Sequence, residues 1–179
     1  KSVRTGDFFR NPVLSEAMDA ARENGKALHL VGLLSDGGVH SIHTHLYALL
    51  RMAKERGVPK VCLHPVFDGR DTAPQSGIDH LRALLAKAAE IGAGEVATVV
   101  GRYYTMDRDN RWDRVERAYK AMVRGEGTTS GDPVAAVAAS YAGGKTDEFI
   151  EPVVIVRDGR PVGRIAPGDS VIFFNFRAD

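Results

Sequence analysis

Short apolar runs alternate along this chain with longer segments in which apolar residues recur every three or four positions. The runs at 27–34 and 60–67 are too short for a typical helix and are apolar on both faces, the pattern of buried strands in a parallel sheet. Further strands are predicted at 95–100, 153–156, 162–165 and 170–174. Most of these strands are separated by segments long enough to hold a helix.

Apolar stripes with helical spacing fill most of the gaps between the strands. They cover the segments 14–21, 46–53, 78–88, 112–122 and 133–141. Asn11-Pro12 and Asp132-Pro133 predict helix starts, because Asn or Asp caps a first turn and Pro fits the first helical position. Helices therefore follow most of the predicted strands.

The pattern also assigns individual side chains to the core or the surface. Trp112 and Tyr119 lie on the apolar stripe of their helix and are predicted to be core residues. His29 and His64 lie inside strands, which favours hydrogen-bonded core histidines. The basic residues on the polar side of the 112–122 helix are predicted to be solvated: Arg114, Arg117 and Lys120.

Strand, helix, strand, helix is the order of an α/β fold with a mostly parallel sheet flanked by helices. Near the C-terminus, Asp158-Gly159 between two apolar runs predicts a small antiparallel hairpin. The 179 residues are about one domain's worth, so we expect a single domain over 1–179. The pattern does not give the order of the strands in the sheet.

Composition excludes several classes of protein. The 24 Lys and Arg against 23 Asp and Glu give a net charge of +1, too small for a surface-wide nucleic-acid binder. No apolar run approaches the roughly 20 residues of a membrane span. The one cysteine, Cys62, forbids an internal disulfide and fits a reducing compartment, so a cytoplasmic protein is expected, with no nucleic-acid or membrane partner.

Polar residues that follow the strands are the candidates for chemistry, because ligands of open α/β sheets bind beyond the carboxyl ends of the strands. Each strand assigned to the parallel core is followed by glycine or polar residues with an Arg or a His. Four loops bring these residues towards one edge: His40, Arg70, Arg102, Arg108 and Arg177.

Such a cluster favours an anionic ligand, because side chains of one sign repel when they lie close together. The guanidinium fork pairs phosphate or carboxylate through two hydrogen bonds, so four arginines predict a ligand that carries both groups. Asp71, beside Arg70, is the natural carrier of a proton for a hydroxyl on that ligand. Taken singly, each arginine is also consistent with an ordinary surface charge.

Other sites find little support in the sequence. Four histidines could suggest zinc, but they lack the spacing of a structural site, so no metal is predicted here: His40, His43, His45 and His64. The glycines at 32–38 form neither a dinucleotide nor an NTP loop. Ser35 and Ser41 lack a nucleophile elbow, and no nucleophile is evident.

Five motifs, in order along nearly the whole chain, carry a family resemblance. They are GDFFRN at 6–11, LSDGGVHS at 34–41, HPVFDGRDT at 64–72, GRYYTMDRDNRW at 101–112 and FFNFRAD at 173–179. They closely resemble the cofactor-independent (2,3-bisphosphoglycerate-independent) phosphoglycerate mutases. That family combines a metal domain, with two manganese ions and a serine nucleophile, and an inserted phosphotransferase domain; the chain resembles the inserted domain alone.

The resemblance implies roles for individual residues. It implies that His40, Arg70, Arg102, Arg108 and Arg177 bind substrate, and that Asp71 binds it and moves protons to and from the glycerate hydroxyls. The arginine motif of the family usually continues beyond Ala178-Asp179 into another arginine. The family also generally reads Val-His-Ser-His, whereas Ile42 follows Ser41 here, which leaves open any role for a second histidine.

The implied activity is the interconversion of 3-phosphoglycerate and 2-phosphoglycerate in glycolysis and gluconeogenesis, through a phosphoserine on the other domain. The chain has no initial Met and stops just after a strand, so we expect a piece of a longer enzyme, inactive alone and without a metal of its own. A monomer packed against its own metal domain is expected. A standalone binder of phosphorylated acids and a metal-dependent phosphatase or hydrolase remain alternatives.

Overall fold

The computed structural model describes residues 2–178, in which eight strands form one mixed sheet between helical layers. The strands are β1 (Ala27–Leu34), β2 (Lys60–Phe67), β3 (Glu95–Val96), β4 (Thr98–Gly101), β5 (Thr128–Ser130), β6 (Val153–Arg157), β7 (Arg160–Pro161) and β8 (Ser170–Phe173). The α-helices are α1 (Ser2–Thr5), α2 (Pro12–Glu23), α3 (His43–Glu55), α4 (Gly77–Ile91), α5 (Arg102–Thr105), α6 (Trp112–Tyr119) and α7 (Pro133–Ala142). Short 3-10 turns at Asp7–Arg10 and Asp147–Phe149 and a π turn at Lys120–Arg124 complete the helical segments.

The sheet order is β5-β6-β4-β2-β1-β8, with β3 beside β2 and β7 beside β6. Strands β8, β1, β2 and β4 are parallel, while β6 runs antiparallel to β4 and to β7. This confirms the α/β class, the mostly parallel sheet and the antiparallel hairpin near the C-terminus.

Three strand predictions differ from the structure. The run predicted at 95–100 is divided into β3 and β4 at Ala97, whose N–H donates to the carbonyl oxygen of Leu63 in β2. The run predicted at 162–165 is not a strand, because its residues do not pair with one neighbouring strand. The N–H of Val162 donates to the carbonyl oxygen of Ile155 in β6, whereas the N–H of Ile165 donates to that of Met122 in the π turn. The segment β5 was missed because its Thr-Thr-Ser sequence has no apolar alternation.

Alternate residues of the central strands face two separate apolar layers. Leu30 of β1 and Phe67 of β2 pack into the larger layer, which includes buried residues of α2, α3, α4 and α7. Leu33 and Val66 point into the smaller layer with residues of α5, α6 and the π turn. The core thus lies on both faces of the sheet, as the two-sided apolar strands predict.

The orientation of α6 corrects one prediction. Ala118 of this helix and Met122 of the following turn are buried, whereas Trp112 is 71% exposed and Tyr119 54% exposed. The helix is therefore rotated about its axis relative to the predicted stripe. Ala118 is the buried residue of this helix, and the two large aromatic side chains remain outside.

Other local predictions are confirmed. Asn11 caps α2 and Asp132 caps α7, each accepting two backbone N–H bonds in the first turn. His29 and His64 are both buried, and their rings are hydrogen-bonded to each other at 2.9 Å. Within 2–178, the helices are too short or too polar to cross a bilayer.

Candidate functional site

The carboxyl ends of three parallel strands meet in register at one edge of the sheet. Leu34 at the end of β1 is paired with Phe67 of β2, and Phe67 is paired with Gly101 of β4. The loops that follow these strands therefore start side by side. Strand β8 ends further back, with Phe173 paired with Val31.

The chain after β8 continues along β1 until it reaches the loop that carries His40. The N–H of Phe174 donates to Val31 at 3.0 Å, and the Asn175 side-chain oxygen accepts from the N–H of Leu33 at 2.9 Å. The N–H of Phe176 then donates to the carbonyl oxygen of His40 at 2.8 Å. Arg177, exposed, follows directly and so lies beside the His40 loop.

Asp68 lies at the centre of this edge, with an exposure of only 1%. Its Oδ1 accepts the backbone N–H groups of Arg70 at 3.1 Å and Asp71 at 3.0 Å, and its Oδ2 accepts the Ser35 hydroxyl at 2.7 Å. Burial by itself would raise the pKa of Asp68, but these hydrogen bonds and that from Arg102 lower it below its ordinary value. Asp68 is therefore held as a carboxylate.

Arg102 is buried at the start of α5, where it meets two carboxylates. Its Nη1 lies 2.7 Å from Asp68 Oδ1 and 2.8 Å from Asp71 Oδ2. Burial would lower the pKa of Arg102, but the hydrogen bonds and charges of Asp71 and Asp68 raise it above its ordinary value. The guanidinium is thus charged and fixed in one orientation.

His40, with an exposure of 3%, contacts the other end of the same guanidinium. Its Nε2 lies 3.3 Å from Nη2 of Arg102 and 3.9 Å from Oδ2 of Asp71. A guanidinium only donates hydrogen bonds, so in the contact with Arg102 Nε2 is the acceptor and a neutral His40 carries its proton on Nδ1. Nδ1 is buried and has no partner within residues 2–178.

A cleft of about 250 Å³ opens beside this cluster. The arginines that line it are Arg70, Arg102, Arg108 and Arg114, and its other lining residues are Tyr103, Met106, Asp107, Asp109 and Glu148. Four guanidinium groups against three carboxylates make it a polar cleft suited to a small anion. His40 and Asp71 reach it through their contacts with Arg102, and Arg177 is not among its lining residues.

Arg70 and Arg114 occupy the cleft in different ways. The Arg70 side chain is 60% exposed and lies 3.4 Å from the Glu148 carboxylate. Arg114 is only 18% exposed, because it lies over the ring of Tyr103, 3.9 Å from the centroid, and pairs with Asp107 at 3.3 Å. The prediction that Arg114 is solvated is therefore wrong.

Several residues at or beside the cleft carried no recognisable signal in the sequence. Asp68 is followed by Gly69, a pair common in ordinary turns, and Arg114 was predicted to be a solvated residue of its helix. Glu148 comes from the 3-10 turn at Asp147–Phe149, far along the chain from Arg70. The backbone N–H groups converge on Asp68 because Gly69, with a φ of 69°, turns the loop. The sequence did not show this arrangement, because it depends on where the loop lies in the sheet.

The described residues do not suit a resident metal ion. No group of three or more His, Cys, Asp or Glu side chains between 2 and 178 is arranged to hold one. Two carboxylates of the cleft are paired with arginines, Glu148 with Arg70 and Asp107 with Arg114, and the positive charge of the arginines would repel a cation. No chemical step is therefore assigned to a metal bound by these residues.

The sequence is similar to known proteins along its whole length. A family described as the N-terminus of the BPG-independent phosphoglycerate mutases matches residues 1–179. Over all 179 residues the chain is 57% identical to the 2,3-bisphosphoglycerate-independent phosphoglycerate mutase of Lachnoclostridium phytofermentans and 58% identical to that of Clostridioides difficile. It spans about 35% of the length of each.

A solved structure has the same fold. The crystal structure of Leishmania mexicana phosphoglycerate mutase at low cobalt concentration superposes with a TM-score of 0.93 at 32% identity, covering 99% of this chain and 34% of that one. Since the family match covers the whole sequence and the curated relatives share more than half of its residues, the chain belongs to the N-terminal family of the 2,3-bisphosphoglycerate-independent phosphoglycerate mutases.

Proposed function

We propose that this chain is the substrate-holding part of a mutase that interconverts 3-phosphoglycerate and 2-phosphoglycerate. The observation that carries the proposal is the cleft that Arg70, Arg102 and Arg108 line together, with the Asp71 carboxylate bound to one of them. In this proposal residues 1–179 form one domain, which does not turn over substrate alone.

The ligand chemistry follows from the guanidinium groups. Phosphoglycerate carries a carboxylate and a phosphate on a three-carbon frame, and each can accept paired hydrogen bonds from an arginine. Arg102 is fixed by buried partners, whereas Arg70 is exposed and bound only loosely to Glu148. A ligand oxygen can therefore displace Glu148 from Arg70 at small cost, while Arg102 offers a preformed contact.

Asp71 is proposed to carry protons between the glycerate hydroxyls. Its side chain is 23% exposed and lies at the junction of Arg102 and His40. When Asp71 takes a hydroxyl proton, the Asp68 carboxylate still balances Arg102. The glycerate must remain bound while one hydroxyl replaces the other, because a free phosphoryl-enzyme would be hydrolysed; the arginines supply that retention. His40 and Arg177 are proposed to complete the binding site.

The curated relatives are about three times as long as this chain, and we propose that the remainder supplies the serine and two manganese ions. Packing of a second domain against this one is supported by exposed apolar side chains in the loops at the cleft edge, which we call the apolar rim: Val39, Trp112, Phe149 and Phe176. Closing a second domain over this rim would exclude water and strengthen the charge contacts. A monomeric cytoplasmic enzyme is part of the same proposal.

Replacing Arg70 by Ala tests the proposal in the full-length enzyme. We expect catalytic efficiency to fall by about 30-fold to several hundred-fold, equivalent to about 2–4 kcal/mol, because a charge-assisted contact to the ligand is lost. The measurement is kcat/KM for 3-phosphoglycerate.

Arg82→Ala is the matched control. Arg82 lies on α4, its side chain is 59% exposed and it pairs with Asp79, so it resembles Arg70 in exposure and pairing but does not line the cleft. We expect it to change kcat/KM less than twofold. Equal efficiencies of the Arg70→Ala variant and the wild type would contradict the proposal.

A further inference from the structure

We propose that Asp68 is the positioning residue of this site: it fixes the direction of Arg102 and sets the loop that presents Arg70 and Asp71. The inference rests on the proposed function for its kinetic consequence, but its structural consequence can be measured without substrate. Asp68 does not line the cleft, so it acts through the groups it binds.

The loop after β2 turns around the Asp68 side chain. Two successive N–H groups, those of Arg70 and Asp71, converge on one carboxylate oxygen of Asp68. With Gly69 in the left-handed region at φ 69°, this turn determines where both side chains leave the backbone. An arginine and a carboxylate on adjacent residues are thereby directed to the same edge of the sheet.

Arg102 is shared between two carboxylates. Nη1 contacts Asp68 at 2.7 Å and Asp71 at 2.8 Å, but Asp68 is 1% exposed whereas the Asp71 side chain is 23% exposed. Asp71 can therefore exchange Arg102 for a ligand hydroxyl, while Asp68 is buried and does not line the cleft. Asp68 keeps the guanidinium in place throughout.

Asp68 is also connected to the loop that follows β1. The Ser35 hydroxyl donates to Asp68 at 2.7 Å and accepts the N–H of Gly37 at 3.1 Å. Asp68 thus links the loops after β1, β2 and β4 through one carboxylate. Loss of its charge would loosen three loops at once, which is more than the loss of one ion pair.

The substitution that separates charge from shape is Asp68→Asn. In the full-length enzyme we expect the KM for 3-phosphoglycerate to rise at least tenfold and kcat to fall, because Arg102 and the Arg70-Asp71 loop lose their common anchor. A merely structural defect would reduce the amount of folded enzyme, which lowers the apparent kcat and leaves KM unchanged.

Asp169→Asn is the matched control at the opposite end of the sheet. Asp169 also accepts two backbone N–H groups, from Ala27 and Ala166, and it contacts a ring nitrogen of His29. We expect this variant to lose stability but to keep KM within twofold of the wild type.

The second measurement uses the 179-residue chain and ¹H–¹⁵N spectra of the Arg102 guanidinium, assigned with Arg102→Lys. We expect Asp68→Asn to shift or broaden these signals in the absence of ligand and to raise the Kd for 3-phosphoglycerate at least tenfold. Unchanged Arg102 signals with KM within twofold of the wild type would overturn the inference. If Asp68→Asn alters the Arg102 signals but the wild-type chain binds no 3-phosphoglycerate, the proposed function is overturned and the positioning role is upheld.

Discussion

At the scale of single residues, the arginines of the cleft differ in how freely their side chains can move. Arg102 is buried between Asp68 and Asp71, so its entropy was lost on folding and its donors are already aimed. Arg70 is mostly exposed, so in the proposed function its side chain becomes ordered only when the ligand binds. The site therefore combines one fixed contact with others that can follow a moving ligand.

A comparison of Arg114 with Arg117 tests whether an arginine must line the cleft to bind 3-phosphoglycerate. Both lie over tyrosine rings, at 3.9 Å from Tyr103 and 4.8 Å from Tyr104, but only Arg114 lines the cleft. We expect Arg114→Ala and Arg117→Ala each to lower the free energy of unfolding by about 1 kcal/mol, since each loses a cation–π contact. Only Arg114→Ala should weaken binding of 3-phosphoglycerate, by tenfold or more.

Urea unfolding and calorimetric titration of both variants provide the measurements. Similar affinities in the two variants would show that Arg114 is structural. A larger stability loss in Arg117→Ala than in Arg114→Ala would not affect this comparison, because affinity is measured on folded protein.

At the scale of elements, the end of β4 is where the site depends most closely on backbone packing. The segment Asp147–Phe149 crosses directly over Gly101, whose N–H donates to Ile150 at 2.8 Å. A Cβ at Gly101 would lie 2.2 Å from the carbonyl oxygen of Glu148. Gly101 thus lets a distant segment bring Glu148 to Arg70 and lets α5 start with Arg102 buried.

Replacing Gly101 by Ala should therefore disturb both elements. We expect the free energy of unfolding to fall by about 1–3 kcal/mol, as for other overpacked sites, and the affinity for 3-phosphoglycerate to fall at least tenfold. The measurements are urea unfolding and calorimetric titration of the chain.

Gly131→Ala is the control, because the nearest atom to its added Cβ is a carbonyl oxygen at 3.9 Å and its φ is not positive. We expect it to alter stability by less than about 1 kcal/mol. If Gly101→Ala is as stable as this control, the segment Asp147–Phe149 moves away from the added Cβ at little energetic cost, and the prediction is wrong.

At the scale of the whole molecule, a hydrogen-bonded chain crosses the sheet away from the cleft. Asp169 contacts His29 at 3.1 Å, His29 contacts His64 at 2.9 Å, and His64 contacts the Thr98 hydroxyl at 2.8 Å. Burial, and then the neighbouring His29, lower the pKa of His64 to about 3. Burial also lowers the pKa of His29, although Asp169 opposes this.

Stability should therefore decrease in acid. His64 stays neutral in the folded protein down to about pH 3, while the unfolded chain takes up a proton there at a pKa of about 6.5. The contribution of His64 is full above pH 6.5 and is lost as pH falls towards 3, at up to about 1.4 kcal/mol per pH unit. The lowered pKa of His29 acts in the same direction. Urea unfolding between pH 7.5 and 4.5 measures this slope.

His64→Gln removes one titrating group from the chain and keeps a hydrogen-bonding amide. We expect this variant to be less stable at pH 7.5. Its free energy of unfolding should also fall less steeply as the pH is lowered, by the slope that corresponds to the uptake of about one proton. Asp147, whose pKa is raised chiefly by burial, acts in the opposite direction, but it is common to both proteins and cancels in the comparison. Parallel curves would exclude His64 as a source of the acid sensitivity.

The sequence by itself determined most of the longer elements, the caps at Asn11 and Asp132, and the loops that carry His40, Arg70 and Arg102. The longer elements are strands β1, β2, β6 and β8 and helices α2, α3, α4, α6 and α7. These properties follow from periodicity and from residues close together in the chain. The motifs also sufficed to indicate the family that the comparisons show.

Only the tertiary structure decided the order of the strands, the exposure of Trp112 and the contact between Arg70 and Glu148. Periodicity shows which residues of a helix are apolar, but its rotation depends on which side chains fit the sheet. The environments of Asp68 and Arg102 likewise depend on three loops meeting across strands that are remote in sequence, and no local pattern contains that information.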